Sequence, residues 1–596
     1  MPRLELVETS LRHGQQALLV SRLRQRHAVT VAEPLDHCGF AALDVFGGST
    51  FEASLRFLAE DPFDRLRGLR AAAPITPLVG LLAGQALVAH RHQPDDVVDA
   101  FIAAAAAAGI DIFRCYDPLN DVRNLTRCAS AIAASGRQAE GVIVYSEAPH
   151  HDVDHVIRVG RALIDAGYAS ICLHDPLGVL VATRAAETVR ALRDATGVPV
   201  AVSMVAQTGQ ATLASYLASL AGAGRVDVAL SPLAGGSSMP AAEAVIAGFG
   251  GSEVDPGLDL AAVAETALTL EQVMVGYADV ADPFAMRLDT SALRGLLPPS
   301  AMGHALAELR ARDSVARLGE VEAELARVRS ELGYPPLMTP IAEMLATQAV
   351  YNVCDGDRYA TVSQEIKDYC LGLYGEPPYP IDREVRRLVN GREEAIDCRP
   401  ADLLEAALPA ARRGLEREGL AGPSGEALVM YAMFPDEFLA LARGEAVAER
   451  LSGEALPDAE PAAGAAAEAS PEPESASAAE TPSLPVRELT VEVDGQAYAV
   501  RVIGAGGGGD VPAASAAARE DAPTVREGTV VAPMQGLLLK VAVAVGDQVH
   551  LGDVVAVLEA MKMQNDITAT RSGRVARVHV KQGDVVKPRD PLVDIE

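Results

Sequence analysis

The first 230 residues alternate between short apolar runs and amphipathic, alanine-rich segments. The eight apolar runs cover residues 4–11, 41–46, 77–82, 110–116, 141–145, 170–173, 199–204 and 226–230, and the segments between them include 94–108 and 155–166. Short apolar runs favour buried strands, and amphipathic segments favour helices. Eight strand–helix units in succession are typical of a TIM barrel, an α/β fold whose parallel strands close into a cylinder. We therefore predict a TIM barrel over residues 1–300.

The residues that directly follow the predicted strands are candidates for a functional site, because these positions build the active site of a TIM barrel. They are Arg12 and His13, Gly47 and Gly48, residues 83–85, Asp117, Ser146 and Glu147, His174 and Asp175, Val205, and residues 231–240. Several of these side chains can bind substrates or exchange protons. We expect them to meet at one end of the barrel.

The C-terminal residues 526–596 contain the same sequence pattern twice. Gly536, Gly546, Asp547 and Glu559 recur 37 residues later as Gly573, Gly583, Asp584 and Glu596. In each copy, Gly-Asp separates apolar runs, which is typical of strands joined by tight turns. The two copies predict a small all-β sandwich. Lys562 lies between them, where a turn would expose it to modification by another enzyme.

The region between the barrel and the β-rich end divides by composition. Residues 301–451 have apolar residues three and four apart, as in 305–332, and predict a helical domain. Residues 452–485 are almost wholly Ala, Glu, Pro and Ser, so they predict an extended, flexible linker. Residues 486–503 alternate like a hairpin around Asp494-Gly495, and residues 504–525 predict a second flexible linker.

Length and composition restrict the class of protein. A chain of 596 residues is too long for one core, so several domains are expected. A formal charge of −30 argues against nucleic acid or an anionic membrane surface as a partner. The seven cysteines form no Cys-x-x-Cys pair, the N-terminus lacks a signal pattern, and no apolar run reaches about 18 residues. We expect a cytoplasmic protein that does not insert into a membrane.

Lysine occurs only at positions 367, 540, 562, 581 and 587. The predicted barrel therefore contains none, which excludes a Schiff base or a carbamylated lysine there. Arginine carries nearly all of the positive charge of that region.

The segment Ala560-Met561-Lys562-Met563 resembles the attachment site of biotinyl domains, which have a hammerhead-like fold. Lipoyl domains usually have an acidic residue directly before the lysine. The resemblance implies biotin bound covalently to Lys562, with Met561 and Met563 beside it. Biotin carries CO2 as a labile carbamate, so a biotin carrier implies transport of a carboxyl group between two sites.

Six further phrases resemble the biotin-dependent carboxyltransferases, the family of the transferase half of pyruvate carboxylase, the oxaloacetate decarboxylase alpha subunit and the pyruvate-side subunit of transcarboxylase. They lie at residues 46–51, 117–124, 231–236, 332–336, 347–350 and 398–404. The resemblance implies a carboxyltransferase barrel, a helical domain that closes over the barrel mouth, and a biotin carrier. It also implies a small-molecule carboxyl acceptor and a homodimer or higher assembly.

The chain shows no ATP-binding region that could carboxylate biotin, so another protein must do so. The resemblance therefore implies a separate biotin carboxylase subunit that would load Lys562, and a biotin protein ligase that would attach the biotin.

The chain departs from this family where the family binds a divalent metal. His13 stands at the position of the family's aspartate, His174 at that of the carbamylated lysine, and Ser203 and Val205 at those of the His-x-His pair. The phrase Leu82-Ala83-Gly84-Gln85 lacks the family's arginine that grips a keto-acid carboxylate. We expect neither the usual metal site nor that charge-assisted contact.

One hypothesis keeps the barrel as a carboxyltransferase whose acceptor is not pyruvate. Ser237 would pass a proton between biotin and the acceptor, as the threonine of the family does, and His13 and His174 would be acid–base or acceptor-binding groups. Candidate substrate contacts are Arg12, Gln16, Gln85, Asp117 and Asp175, with Arg91 as a further anion contact.

Three alternatives remain open. His13 and His174 could hold a rebuilt metal site together with Asp175 or Glu147, because neutral imidazoles suit zinc or iron. The barrel could instead have lost its chemistry and act as a scaffold that docks the carrier in a multi-subunit carboxylase. The chain could also work in decarboxylation, as an oxaloacetate decarboxylase alpha-type subunit.

Overall fold

The structure is a computed structural model in which two compact units, Met1–Leu456 and Pro457–Glu596, are distinct. It describes residues 3–283, 285–294, 299–391, 394–420, 422–451, 486–493, 496–503, 529–532, 536–550, 554–560, 563–569, 571–581, 584–586 and 590–595. The linkers predicted at 452–485 and 504–525 lie outside the described residues. No helix within the described ranges is both long and apolar enough to span a membrane.

Eight parallel strands close into a barrel, which confirms the predicted TIM fold. They are β1 (Glu5–Glu8), β2 (Ala42–Phe46), β3 (Leu78–Leu82), β4 (Ile112–Cys115), β5 (Gln138–Val144), β6 (Ser170–Asp175), β7 (Val200–Met204) and β8 (Arg225–Val228). Neighbours in sequence pair in space, and β1 closes the barrel on β8 with Glu5 opposite Arg225. Each strand overlaps the apolar run that predicted it.

Amphipathic helices surround the barrel and bury their apolar faces against the outer faces of the strands. They are α1 (Gln15–Leu18), α2 (Gln25–Leu35), α3 (Gly48–Ala53), α4 (Pro62–Ala72), α5 (Asp95–Ala108), α6 (Thr126–Ala134), α7 (Val153–Asp165), α8 (Ala182–Thr196), α9 (Ala211–Leu220), α10 (Ala242–Phe249) and α11 (Leu260–Met274). Side chains of alternate strand residues fill the inside of the barrel, including the apolar group Val7, Ala42, Val79 and Ile112.

The helices that follow the barrel divide between two cores. Helices α12 (Pro299–Ala311), α13 (Leu318–Glu331), α14 (Ile341–Cys354), α15 (Gln364–Cys370) and α16 (Arg383–Asn390) share a core of their own, which also takes in Leu119 and Leu177 from barrel loops. Helices α17 (Leu408–Arg417), α18 (Gly425–Met433) and α19 (Pro435–Ala442) pack on the barrel instead. Phe434, between α18 and α19, lies with its ring centroid 5.7 Å from that of Phe51.

The second unit is all β in its described residues. Strands β9 (Val486–Val493) and β10 (Gln496–Ile503) form an antiparallel hairpin whose predicted turn, Asp494-Gly495, lies outside the described residues. Two four-stranded sheets follow, made of β11 (Thr529–Val531), β12 (Gly536–Val541), β13 (Gln548–Val549), β14 (Val554–Ala560), β15 (Met563–Thr568), β16 (Gly573–Val578), β17 (Val585–Val586) and β18 (Pro591–Ile595). Residues such as Leu538, Leu558, Val575 and Leu592 form their common core. The repeat therefore predicted this β-rich fold correctly.

The attachment segment joins β14 to β15. Ala560 and Met563 are paired across these two strands, and Met561 and Lys562 stand between them in the sequence. Met561 and Lys562 lie outside the described residues, so their expected roles stay predictions.

Candidate active site at the barrel mouth

His13 and His174 both lie at the end of the barrel where the strands finish. His13 belongs to the helical turn Ser10–Gly14 after β1, and His174 is the fifth residue of β6. Nε2 of His13 lies 3.3 Å from the carbonyl oxygen of Ser237. Nδ1 of His174 lies 3.2 Å from the carbonyl oxygen of Ser203 and 3.1 Å from its hydroxyl oxygen.

These contacts determine which ring nitrogens carry hydrogen. A carbonyl oxygen can only accept a hydrogen bond, so Nε2 of His13 and Nδ1 of His174 are the protonated nitrogens of the neutral rings. The other nitrogens, Nδ1 of His13 and Nε2 of His174, then each present a lone pair. The mouth therefore holds two imidazoles that can accept a proton or a hydrogen bond.

Both histidines are neutral at neutral pH. Burial is the largest cause that lowers the pKa of His174, to about 4, and the charge of Arg12 lowers it further while Asp227 opposes the shift. The pKa of His13 is well below its ordinary value, first because of burial, then because of the charge of Arg12, and then because of the neighbouring His174. His174 is near enough to lower the pKa of His13 electrostatically, so these two predicted residues belong to one site.

Ser237 lies in the loop after β8, beside His13. Its hydroxyl donates to Oε1 of Gln207, at 2.7 Å, and its backbone N–H donates to the carbonyl oxygen of Ala285, at 2.8 Å. Gln207 was not among the residues that we singled out from the sequence. It follows the end of β7 by three residues, so the rule that loops after strands build the site could have found it.

Arg12 is buried and bound to Asp44 of β2. Its Nε lies 2.8 Å and 2.7 Å from the two carboxylate oxygens, and Nη2 donates to the same carboxylate. Gly47 makes room for the arginine, because a Cβ there would lie 2.8 Å from Cδ of Arg12. The ion pair occupies most of one edge of the guanidinium. The role of Arg12 as an anion contact stays a prediction, and its first partner is Asp44.

Asp117 and Asp175 bind backbone N–H groups of their own loops. Asp117 accepts from Leu119 and Asp121, and Asp175 accepts from Leu177 and Leu180. Burial raises the pKa of Asp117 to about 7 and that of Asp175 to about 6. Asn124 also donates its amide to the second oxygen of Asp117. These carboxylates therefore hold the loops after β4 and β6 in place.

Gln85 and Gln16 lie in different surroundings. The buried Gln85 donates to Asp95 and to the carbonyl oxygen of Gln93, and accepts from Arg399 at 3.3 Å. Arg399 also pairs with Asp95 at 2.8 Å, so Gln85 joins the loop after β3 to the segment that follows α16. Gln16, in contrast, is exposed on α1. Their predicted substrate contacts remain untested.

Comparison with known proteins identifies the chain. A family model described as "HMGL-like" matches residues 3–270, "Conserved carboxylase domain" matches 301–501, and "Biotin-requiring enzyme" matches 528–595. A pyruvate carboxylase subunit of Methanothermobacter thermautotrophicus is 37% identical over 566 residues, which is 95% of this chain and 95% of that protein. The chain belongs to the biotin-dependent carboxyltransferase family. It is an enzyme of this family with a fused biotinyl domain, the type of domain that binds biotin covalently.

Two further relatives show the range of this family. The 2-oxoglutarate carboxylase large subunit of Hydrogenobacter thermophilus is 33% identical and covers 99% of this chain and 94% of its own length. The carboxyl transferase domain of Rhizobium etli pyruvate carboxylase, solved with pyruvate and biocytin, superposes with a TM-score of 0.69 at 29% identity. That match covers 74% of this chain and 77% of the solved one.

The mouth residues do not fit the metal that the carboxyltransferase family usually binds. Ser203 and Val205 are the residues that the resemblance sets at its histidine positions. Ser203 points its hydroxyl toward Sδ of Met239 at 3.9 Å, and Val205 packs with Met239 and Ala229. The nearby carboxylates of Asp44 and Asp227 pair with Arg12 and Arg114. Within the described ranges, no three His, Cys, Asp or Glu side chains are grouped so that they could hold a metal ion.

Proposed function

We propose that Lys562 carries the biotin and that the barrel transfers the carboxyl group of carboxybiotin to a small carbon acceptor other than pyruvate. The sequence Ala560-Met561-Lys562-Met563 and the match to the biotinyl family support Lys562 as the attachment site. The cofactor supplies the labile carboxyl group, and the protein contributes binding, orientation and proton transfer.

In this proposal Ser237 moves the proton. The acceptor carbon loses its C–H proton to the hydroxyl oxygen of Ser237, and the hydroxyl proton passes to the biotin nitrogen that has released CO2. The acceptor carbon then binds the CO2, so protons and carboxyl group balance. The lone pairs of His13 and His174 can accept a hydrogen bond from an N–H or O–H group of the acceptor, such as an amide offers, and so orient its reacting carbon.

The acceptor is inferred from the charge of the mouth, and the ion pair of Arg12 with Asp44 is the observation that carries this inference. The guanidinium of Arg12 is already paired with the carboxylate of Asp44, and residues 82–85 contain no arginine. The imidazoles of His13 and His174 are neutral at neutral pH. At these two positions the carboxylate of a small keto acid would find no charge-assisted partner, so we infer an acceptor with a neutral carbonyl group.

The relatives support the proposed partners. One is named as a subunit of pyruvate carboxylase and another as the large subunit of 2-oxoglutarate carboxylase, which fits an assembly in which a separate biotin carboxylase subunit charges the carrier. A biotin protein ligase would attach the biotin, and a homodimer or higher assembly is expected.

A scaffold function is the second candidate. It is favoured because two of the predicted site residues stabilise loops of the fold. The carboxylates of Asp117 and Asp175 bind loop backbone rather than facing an open site. In that case the barrel would position the carrier beside another enzyme without transferring the carboxyl group.

One experiment separates these functions. The biotinylated protein is charged with a biotin carboxylase subunit, ATP and radiolabelled bicarbonate, and the label on the carrier is followed after addition of a neutral ketone, an acyl thioester, an amide, 2-oxoglutarate or pyruvate. We expect one of the first three to drain the label into a stable product, and pyruvate to do so roughly 10- to 100-fold more slowly. Robust formation of oxaloacetate would overturn the proposed acceptor class.

The same assay tests the alternatives. If no acceptor drains the label and His174→Ala leaves the complete pathway unchanged, the scaffold function is correct. If the protein instead charges its biotin from oxaloacetate and releases pyruvate, it works in the direction of decarboxylation.

A further inference from the structure

The side-chain amide of Gln207 has an orientation that its two partners determine. One end lies 3.2 Å from the carbonyl oxygen of Arg287, and the other lies 2.7 Å from the hydroxyl oxygen of Ser237. A carbonyl oxygen only accepts, so the end that faces Arg287 is the NH2 group. The end that faces Ser237 is therefore the amide oxygen, which also only accepts. The hydroxyl proton of Ser237 must point to Gln207.

Residues 285–289, which we call the crossing segment, hold both residues in place. The carbonyl oxygen of Ala285 accepts the backbone N–H of Ser237, at 2.8 Å, and the N–H of Asp289 donates to the backbone carbonyl of Gln207, also at 2.8 Å. Gly236 allows the close approach, since its φ of +51° suits glycine and a Cβ there would overlap the carbonyl oxygen of Ala285. The loops after β7 and β8 are thus tied together by one stretch of backbone.

This arrangement presents the lone pairs of Ser237 in one direction. Because its proton is committed to Gln207, the oxygen is ready to accept a proton from the other side. The bond to a neutral amide is also weak enough to release that proton afterwards, since such a bond contributes little net free energy. Gln207 is buried, so water does not compete for its amide oxygen.

We propose that Gln207 is a positioning residue for carboxyl transfer, which orients the hydroxyl of Ser237 through its contact with the crossing segment. This inference rests on the proposed role of Ser237. In the proposed step, the hydroxyl of Ser237 turns its proton from Gln207 to the biotin nitrogen while its oxygen takes the proton from the acceptor carbon. Gln207 itself gains and loses no proton.

The test compares Gln207→Leu with the wild-type holoprotein, using the acceptor that drains the carrier. We expect kcat to fall on the order of 10- to 100-fold with KM nearly unchanged, because the hydroxyl loses its orientation while the acceptor still binds. In a Ser237→Ala background, Gln207→Leu should cause no further loss. An equal loss in both backgrounds would overturn the inference, since it would show that Gln207 acts independently of Ser237.

A control variant and a replacement variant complete the test. Gln138→Leu makes the same exchange at an exposed position at the start of β5, the opposite end of the barrel, and should leave kcat unchanged. If Gln207→Leu fails to fold, Gln207→Met removes the same amide oxygen while it keeps the length of the side chain, and the same comparison with Ser237→Ala applies.

A crystal structure of the variant separates this inference from the proposed function. If the wild type transfers the carboxyl group to none of the acceptors, the proposed function fails. The crystal structure of the variant then still shows whether Gln207 orients the hydroxyl of Ser237. We expect the hydroxyl of Ser237 to turn to another rotamer in Gln207→Leu, because the acceptor of its proton is gone. An unchanged rotamer would refute the positioning role.

Discussion

Arg12 and Asp44 form an ion pair inside the barrel mouth, with Nε of the arginine 2.8 Å and 2.7 Å from the two carboxylate oxygens. The arginine is 4% exposed and the aspartate 0%. Arg12 lowers the pKa of both His13 and His174, while Asp44 compensates its charge. This pair therefore contributes to the neutral character of the site and to the exclusion of a keto-acid carboxylate from the guanidinium.

Removal of one partner from this ion pair should destabilise the barrel. Asp44→Ala leaves the charge of Arg12 buried and uncompensated, and we expect a loss of about 3–5 kcal/mol in the free energy of unfolding. The double variant Arg12→Met with Asp44→Leu removes both charges and should recover much of that loss. Scanning calorimetry measures the shift in Tm. An Asp44→Ala protein as stable as the wild type would contradict a paired, desolvated carboxylate.

Ala83, directly after β3, is the position at which a cation should change the choice of acceptor. We expect Ala83→Arg to strengthen pyruvate binding by about tenfold or more, because a guanidinium can form charge-assisted hydrogen bonds to the carboxylate. Ala83→Met is the matched control, since it adds a similar stem without charge. Isothermal titration calorimetry measures the affinity. Equal gains in both variants would attribute the effect to packing, and tight binding by the wild type would remove the basis of the prediction.

His174 should make the stability of the barrel depend on pH. Its pKa in the folded protein is about 4, below the value of about 6.5 of an exposed histidine. The unfolded chain therefore takes up a proton near pH 6.5 while the folded protein does so only near pH 4. The resulting stabilisation, on the order of 3 kcal/mol, is complete above pH 6.5 and is lost as the pH falls toward 4.

The variant His174→Gln isolates this effect. Burial raises the pKa of Asp117 and Asp175, and these groups titrate in the same range with the opposite sign, so only the difference between variant and wild type is informative. We expect the Tm of the wild type to fall more steeply between pH 7.5 and 5 than that of His174→Gln. Parallel curves would mean that His174 is not buried in its neutral form.

Lys562 should be the one lysine that accepts biotin. Lys562→Arg replaces the nucleophilic amine with a guanidinium that stays protonated, so we expect no biotin on the variant after co-expression with a biotin protein ligase. Lys540→Arg and Lys581→Arg, in the same domain, are matched controls that should retain full biotinylation. Intact-protein mass spectrometry measures the modification. Biotin on Lys562→Arg would place the attachment site elsewhere.

The fold was predictable because its signals are local. Apolar runs and amphipathic segments each lie within about 15 residues, and their order alone is typical of the barrel. The start of β5 was less clear, because Gln138 is exposed and Glu140 is a charged residue inside the barrel, where it pairs with Arg114 at 2.6 Å. A buried charge interrupts the apolar pattern, and only its pairing with Arg114 on the neighbouring strand β4 explains it.

The sequence by itself determined the eight strands, the repeat around Lys562 and the absence of lysine from the barrel. It also placed His13, His174 and Ser237 near the ends of strands, although His174 lies within β6 and not after it as predicted. Only the tertiary structure decided what each side chain binds: Arg12 pairs with Asp44, Asp117 and Asp175 hold their loops, and Gln207 directs the hydroxyl of Ser237. These partners are 2 to 80 residues apart in the chain. A hydrogen bond depends on distance and direction in space, which residue order alone does not specify.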